Sequence, residues 1–522
     1  MKMRYLVTGE QMKQIDQYTI QTIGIPSLVL MERAAIAVAR EVEQLGKKTD
    51  HIWAVCGTGN NGADGIAAAR ILFLKGYSVT VIIAGEPTRG TKEFHIQKEI
   101  AENLGITIVE WRDFLPGTCE VIIDGVFGVG LTRNVEGEYR EVLEMIRERA
   151  WASVVAIDLP SGIHSTTAQV MGIAVKADVT VTFGYEKLGS ILYPGRNYCG
   201  QVIVEDIGFP ELSLKQVKPF AWTYDDEDLW RFPQRPSYSN KGTFGKVLLI
   251  AGSKGMAGAA YLAGLAAYRA GAGLVKILTV EENRQVLQQL LPEAILAIYS
   301  PKELIEDSND GISLELFSWE KRMEKEYAWA DVIVLGPGLG QEPYVKSLVK
   351  SVLTSAYVPI ILDADALNTI AVCPSLEQYY TENIIITPHL GEMSRLAGKM
   401  IAKIQTDLIN TALDYSMNHG IICALKDAAT IVTNREGQCY VNSSGNNCMA
   451  KAGSGDVLAG TIAGLVAQGM ELFDGAILGV YIHGLAGDNY QQRHGQNGLL
   501  ARELAREIGT ILSDSNGQGE KE

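Results

Sequence analysis

The stretch "HIWAVCGTGNNGADG", residues 51–65, opens on a short apolar run containing β-branched residues and then turns on glycine and asparagine. A strand that ends in a small-residue turn and continues into a helical segment is the repeating unit of a parallel sheet covered by helices. The same rhythm recurs in "YSVTVIIAG" (77–85), "EVIIDGVFG" (120–128), "SVVAIDLPSG" (153–162) and "DVTVTFG" (178–184). Upstream, "MKQIDQYTIQTIG" and "LVLMERAAIAVAREVEQLG" carry apolar residues at helical spacing, so two helices are expected before His51. The alternation breaks between Phe209 and Gly245, where prolines cluster and charges lose periodicity, and it resumes with "KVLLIAG", "LVKILTV", "DVIVLGPGLG", "PIILDADALN", "NIIITPH" and "IICALKDAATIV". The expected fold is α/β with two doubly wound domains, residues 1–215 and 216–522. Helices are expected near 456–470, 473–493 and 498–512, with a frayed polar tail after Ser513.

Composition narrows the classes of function. A chain of 522 residues is long for one domain, and 47% hydrophobic with 20% charged residues is the balance of a well-packed globular protein. The net charge of -15 argues against nucleic-acid binding, which needs clustered Lys and Arg. Seven cysteines without CxxC spacing point to reduced thiols rather than a disulfide framework. The N-terminus has no apolar core of signal-peptide length, and the most apolar stretch, residues 255–268, is too short to span a bilayer. A cytoplasmic protein without membrane partners is expected.

Three strand ends in the first half carry ligand-ready residues. In open α/β sheets ligands sit outside the carboxyl ends of the strands, and here those ends supply Asn61, Asp124 and Ser161, an oxygen set suited to a hard monovalent cation, with Asp64 and Asp158 left for other work. Singly, such residues cap helices and shape turns. Three clusters at three strand ends favour a ligand site. The GxGxxG at Gly57, Gly59 and Gly62 is a weak signal taken alone.

Taken together, "GNNGADG", "DGVFGVGLTR", "DLPSGI", "ADVTVTFGYEKLG" and "YPGRNYCGQVIVEDIG" resemble the NAD(P)H-hydrate epimerase domain over most of residues 5–210. The resemblance implies a Rossmann-like three-layer sandwich with K+ held by Asn61, Asp124 and Ser161. It also implies hydrated NADH or NADPH against Asn60, Asn61, Gly62, Ala63 and Asp64, against Gly128, Val129, Gly130, Leu131, Thr132, Arg133 and Asn134, and near Tyr139 and Asp158. Ala63 stands where the family usually has a second glycine.

In the second half "KAGSGDVLAGTIAGLVAQG", residues 451–469, places Asp456 where a small-residue turn enters an apolar helix. The turn's NH groups and the helix dipole suit phosphate oxygens, and a carboxylate beside them can take a proton from an attacking hydroxyl. Lys426 and the small residues after it read as a nucleotide wall. His389 and His483, each alone, read as satisfied by local hydrogen bonds. With "AGSKGMAGAAYLAGLAAYRAGAGLV", "LGPGLG", "LDADALN", "TPHLGEMSRL", "LKDAATIV" and "AGSGDVLAG", the half from 220 to 512 is similar to the ADP- or ATP-dependent NAD(P)H-hydrate dehydratases, a branch of the ribokinase-like fold. The resemblance implies substrate contacts at Ala259, Gly338, His389 and Asp456, and adenine nucleotide contacts at Lys426, Asp427, Ala428, Ala429, Thr430 and Gly455, with Mg2+ on the phosphates. Departures at Asn240 and Leu390 lie beside the reacting groups.

The two resemblances imply one pathway of repair. Phosphorylating the hydroxyl of the hydrated ring makes a leaving group, with Asp456 as general base, and the first domain interconverts the R and S hydrates with Asp158 as acid/base or as stabiliser of a cationic intermediate. The resemblance favours ADP and a homo-oligomer. Two rivals stand beside it: a kinase for a small alcohol, and a first domain that senses nucleotide or binds protein without catalysis.

Overall fold

The apolar run His51–Cys56 is an interior strand, third from one edge, of a seven-stranded parallel sheet. From edge to edge the strands are Thr107–Glu110, Ser78–Ile83, His51–Cys56, Val121–Gly125, Ser153–Ile157, Val179–Phe183 and Gln201–Glu205. Side chains alternate between faces: Ile52 and Ala54 join a core with the helices Ser27–Leu45 and Asn60–Leu74, whereas Trp53 and Val55 join another with the helix Gly137–Glu148. Chain order reverses between His51–Cys56 and Val121–Gly125, which opens a crevice at their carboxyl ends. This computed structural model describes residues 3–304 and 314–518. The chain divides into two compact units at 222/223, and the division expected at 215 falls inside a helix, Glu211–Val217.

Both expected N-terminal helices form. Gly9–Tyr18 starts at Thr8, whose side chain and that of Gln11 make a capping box, and it continues into a wider turn, Thr19–Ile23. A two-strand ladder pairs Leu6 with Glu186 and Val7 with Lys187, which sets Lys187 beside the start of that helix. Edge strands Thr107–Glu110 and Gln201–Glu205 were not anticipated from the pattern of apolar runs, because each is short and half polar.

The second unit holds strands in the order Ile295–Tyr299, Leu274–Val280, Lys246–Ile250, Val332–Leu335, Ile360–Leu362, Ile384–Ile386, Ile422–Leu425, Ile431–Thr433 and Cys439–Val441. The first seven run parallel and the last two fold back antiparallel. Only residues 426–430 separate Leu425 from Ile431, too short a link for a parallel crossover. Helices Ser454–Ala467 and Ala257–Arg269 pack closely: a Cβ on Gly460 would lie 2.1 Å from the Ala263 carbonyl oxygen, so the contact requires glycine. Helices Leu472–His494 and Ala501–Gln518 follow. The last is longer than expected, so the polar stretch after Ser513 stays helical as far as Gln518, and residues 519–522 of the expected tail lie outside the described residues. Among the described residues no helix is long and apolar enough to cross a membrane.

Candidate active sites

The crevice of the first unit is a cavity of about 540 Å3, mostly apolar in its walls but with a polar floor of strand-end residues. Asn60, Asn61 and Asp64 enter from the helix Asn60–Leu74, Gly128, Val129, Gly130 and Leu131 from the loop after Val121–Gly125, and Asp158 from the turn after Ser153–Ile157; Tyr139 lines it as well. Asp158 adopts φ +67°, an uncommon conformation for a residue with a Cβ. Its Oδ1 accepts from Lys187 Nζ at 2.5 Å and from Thr182 Oγ1 at 3.0 Å, and Lys187 also donates to the Phe183 carbonyl at 3.0 Å. Asp158 is therefore one half of a buried ion pair, not the uncommitted carboxylate expected from sequence; only 1% of the Lys187 side chain is exposed.

Asn61, Asp124 and Ser161 are brought together. Ser161 donates to Asp124 twice, from Oγ at 2.5 Å and from N at 2.8 Å, and its Oγ accepts from the Phe127 N–H at 2.8 Å. Asn61 Oδ1 lies against Gly128, where a Cβ would approach to 2.8 Å. Burial pushes the Asp124 carboxyl up to about 6, although the Ser161 hydrogen bonds pull the other way. Asp124 is fully buried with no ion-pair partner among the described residues, and the Asn61 amide nitrogen is buried without a hydrogen bond.

Several expected contacts do not face the cavity. Gly62 and Ala63 are buried beneath the loop; a Cβ on Gly62 would sit 1.7 Å from the Gly57 carbonyl oxygen, so its part is to let loop and helix touch. Thr132, Arg133 and Asn134 are exposed and outside the cavity lining. Conversely, Asp16 and Lys187 line the cavity without having been singled out. Lys187 lay within the quoted "GYEKLG", but a single lysine after a strand carries no pattern that distinguishes it from a solvated one.

In the second unit Asp456 occupies the first turn of Ser454–Ala467, after Gly453 at φ +90°. Burial and the nearby Asp363 push its carboxyl up to about 7, with Lys426 acting against them. Lys426 Nζ donates to Asp363 Oδ1 at 2.7 Å, and Thr387 Oγ1 donates to the same oxygen at 2.7 Å. Burial works against the Lys426 charge, yet Asp363 and Glu392 keep its affinity for a proton raised. The lysine is thus paired within a carboxylate cluster at the edge of the turn that carries Gly455. A Cβ on Gly455 would come within 3.2 Å of Lys426 Nζ, so the glycine leaves room above the ammonium.

Ala259 and Gly338 adjoin each other, a Cβ on Gly338 meeting that of Ala259 at 2.9 Å. His389 is the N-cap of Leu390–Ala397: its Nδ1 accepts from the Gly391 and Glu392 N–H groups at 2.9 and 3.3 Å, while Glu392 Oε2 accepts from the His389 N–H at 2.8 Å. Buried His483 lies 3.0 Å from the Ser454 carbonyl oxygen, and burial lowers its pKa to about 4. Local bonds thus account for both histidines. Asp427 and Thr430 are half-buried, Ala428 is exposed and Ala429 is buried, as a tight turn between antiparallel strands requires. Asp363, Asp365 and Glu392 complete the cluster; they stood in the quoted motifs without an assigned part.

These features define two α/β units, each with an acid-centred cluster at the carboxyl ends of its strands. The family model described as "NAD(P)H-hydrate dehydratase" matches residues 247–510, and that described as "YjeF-related protein N-terminus" matches 27–189. Two relatives, each named bifunctional NAD(P)H-hydrate repair enzyme Nnr, are 34% identical: that of Thermofilum pendens over 94% of this chain and 93% of its own, and that of Moorella thermoacetica over 98% and 100%. A solved ADP/ATP-dependent NAD(P)H-hydrate dehydratase from Bacillus subtilis, co-crystallized with ATP/Mg2+, is 29% identical with a TM-score of 0.47, covering 56% of this chain and 98% of its own. The chain belongs to the bifunctional NAD(P)H-hydrate repair enzyme family.

Proposed function

We propose that the first unit interconverts the R and S hydrates of NADH and NADPH and that the second dehydrates the S hydrate at the expense of ADP or ATP. The observation that carries the reading is Asp456: a carboxyl with a raised proton affinity, at a helix N-terminus, beside a half-buried lysine and a second carboxylate. Such a group takes a proton from a hydroxyl as that oxygen attacks a phosphoryl group, and the amides of the 453–456 turn receive the transferred charge. Mg2+ brought in with the nucleotide would neutralise charge on its phosphates. Ring nitrogen then expels phosphate, and loss of a proton restores the dihydronicotinamide. Ala259, Gly338 and His389 border the substrate, and Lys426, Asp427, Ala428, Ala429, Thr430 and Gly455 the adenine nucleotide.

In the first unit Asp158 faces the reacting carbon, fixed by Lys187 and Thr182. Asn61, Asp124 and Ser161 fit K+, since the donors are oxygens and, among the described residues, the buried Asp124 carboxylate has no ion-pair partner of its own. When bound, K+ would neutralise Asp124 and tie together the loops that line the cavity. We place the domain boundary at the 222/223 division, and we take the protein to be a cytoplasmic homo-oligomer acting on diffusible nucleotides. Supplying mixed hydrate epimers with Mg2+ and either nucleotide tests the whole reading: the dihydronicotinamide absorbance should return for all of the hydrate in one rapid phase. An Asp158→Asn chain should stop after the S epimer and then follow the uncatalysed exchange. A stable phosphorylated alcohol as end product would favour the rival kinase.

A further inference from the structure

The cavity of the first unit holds more acid than one epimerase residue requires. Asp16, Asp64 and Asp158 all line it, and Lys187, the buried cation among them, is spent on Asp158. The Asp64 carboxyl receives no hydrogen bond from any described residue, and it is open to whatever occupies the cavity. Resting on the epimerase reading above, we propose that Asp64 is a second catalytic residue, the carboxylic acid that protonates the departing hydroxyl of the hydrated ring, while Asp158 remains the anion facing the cation left behind.

The step balances within the substrate and the two side chains. The bond between the ring carbon and its hydroxyl breaks, the oxygen leaves with the bonding pair and takes the Asp64 proton, and water forms. The ring nitrogen lone pair becomes the second bond of an iminium, whose positive charge lies by Asp158. Water then adds to the opposite face of the same carbon and returns a proton to Asp64. No oxidant, reductant or nucleotide is consumed, and only the configuration has changed.

The two carboxyls differ in their surroundings. Asp158 is paired with Lys187 at 2.5 Å, whereas burial, followed by the charges of Asp158 and Asp16, holds the Asp64 carboxyl well above the ordinary carboxylate range. The other charged or titratable groups toward it are Lys13 and Asp16 of the helix Gly9–Tyr18 and Cys56 at the end of its strand; Cys56 is itself pushed up by burial and by Asp124 and Asp64. A carboxyl without a cationic partner beside one that has such a partner can divide acid and anion functions between them.

Asp64→Asn in the full-length chain preserves size and removes the proton donor. Epimerisation, read as the rate at which the R hydrate is consumed from the mixture under excess nucleotide, should fall by about 10²-fold or more. A required acid makes wild-type kcat/KM for epimerisation decline at alkaline pH, and the residual activity of Asp64→Asn should lack that decline. Asp64→Glu should recover part of the rate together with the decline. Dehydration of pure S hydrate by the same chains and an unaltered unfolding midpoint report that the fold is intact. An Asp64→Asn chain that epimerises at the wild-type rate, or that keeps the alkaline decline, overturns the assignment while leaving the epimerase reading in place. Wild-type epimerisation no faster than the uncatalysed exchange overturns both.

Discussion

Asp456 gains its basicity from burial and from Asp363, and both set the direction in which pH must act. A general base works only when ionised, so kcat/KM for dehydration should be full above about 7 and fall as pH drops through that value. Asp456→Asn should lower the rate by about 10²-fold or more, erase that acid limb and leave epimerisation untouched. An acid limb that survives in the variant would move the base to Glu392, whose carboxyl burial also pushes up to about 7. Asp456 and Asp158 were legible in the sequence because each follows a strand or opens a helix, a placement that local pattern encodes. Their partners were not: Lys187 meets Asp158, and Lys426 meets Asp363, only after the sheet has brought distant strand ends together.

The loop and helix that begin at Gly57 form a tight joint, and two of its glycines, Gly62 and Gly59, bear opposite loads. A Cβ on Gly62 would meet the Gly57 carbonyl at 1.7 Å, a backbone atom that cannot swing aside, whereas a Cβ on Gly59 meets open space. Gly62→Ala should therefore shift the helix Asn60–Leu74 and cost about 1–3 kcal/mol, seen as a lower unfolding midpoint for the first unit and weaker hydrate binding there. Gly59→Ala should leave the unfolding midpoint near its wild-type value, and equal losses of stability from the two would remove the steric argument. Central strands were legible as apolar runs because both their faces are covered. The edge strands Thr107–Glu110 and Gln201–Glu205 and the hairpin Ile431–Thr433 with Cys439–Val441 escaped notice: the first two carry polar residues, and the hairpin strands are very short.

At the scale of the whole chain, each unit has its own acid cluster, and among the described residues the cavity of the first is lined by residues between Met12 and Phe209. Residues 1–222 and 223–522 expressed separately should each unfold cooperatively and keep one activity, and mixing them should restore complete conversion through a diffusing intermediate. A molten piece in calorimetry would mean that the units depend on each other for stability. The alternation of strands and helices made this two-part plan readable; the position of the cut depended on the helix Glu211–Val217, which the loss of periodicity had hidden. Lys187 carries a last consequence. Its ammonium is sealed in and held by Asp158, so an acylating reagent that modifies surface amines quickly can reach it only when the first unit opens. In the intact chain the slow acylation of this one residue is thus a built-in gauge of that opening, separable by peptide mapping from anything that happens in the second unit.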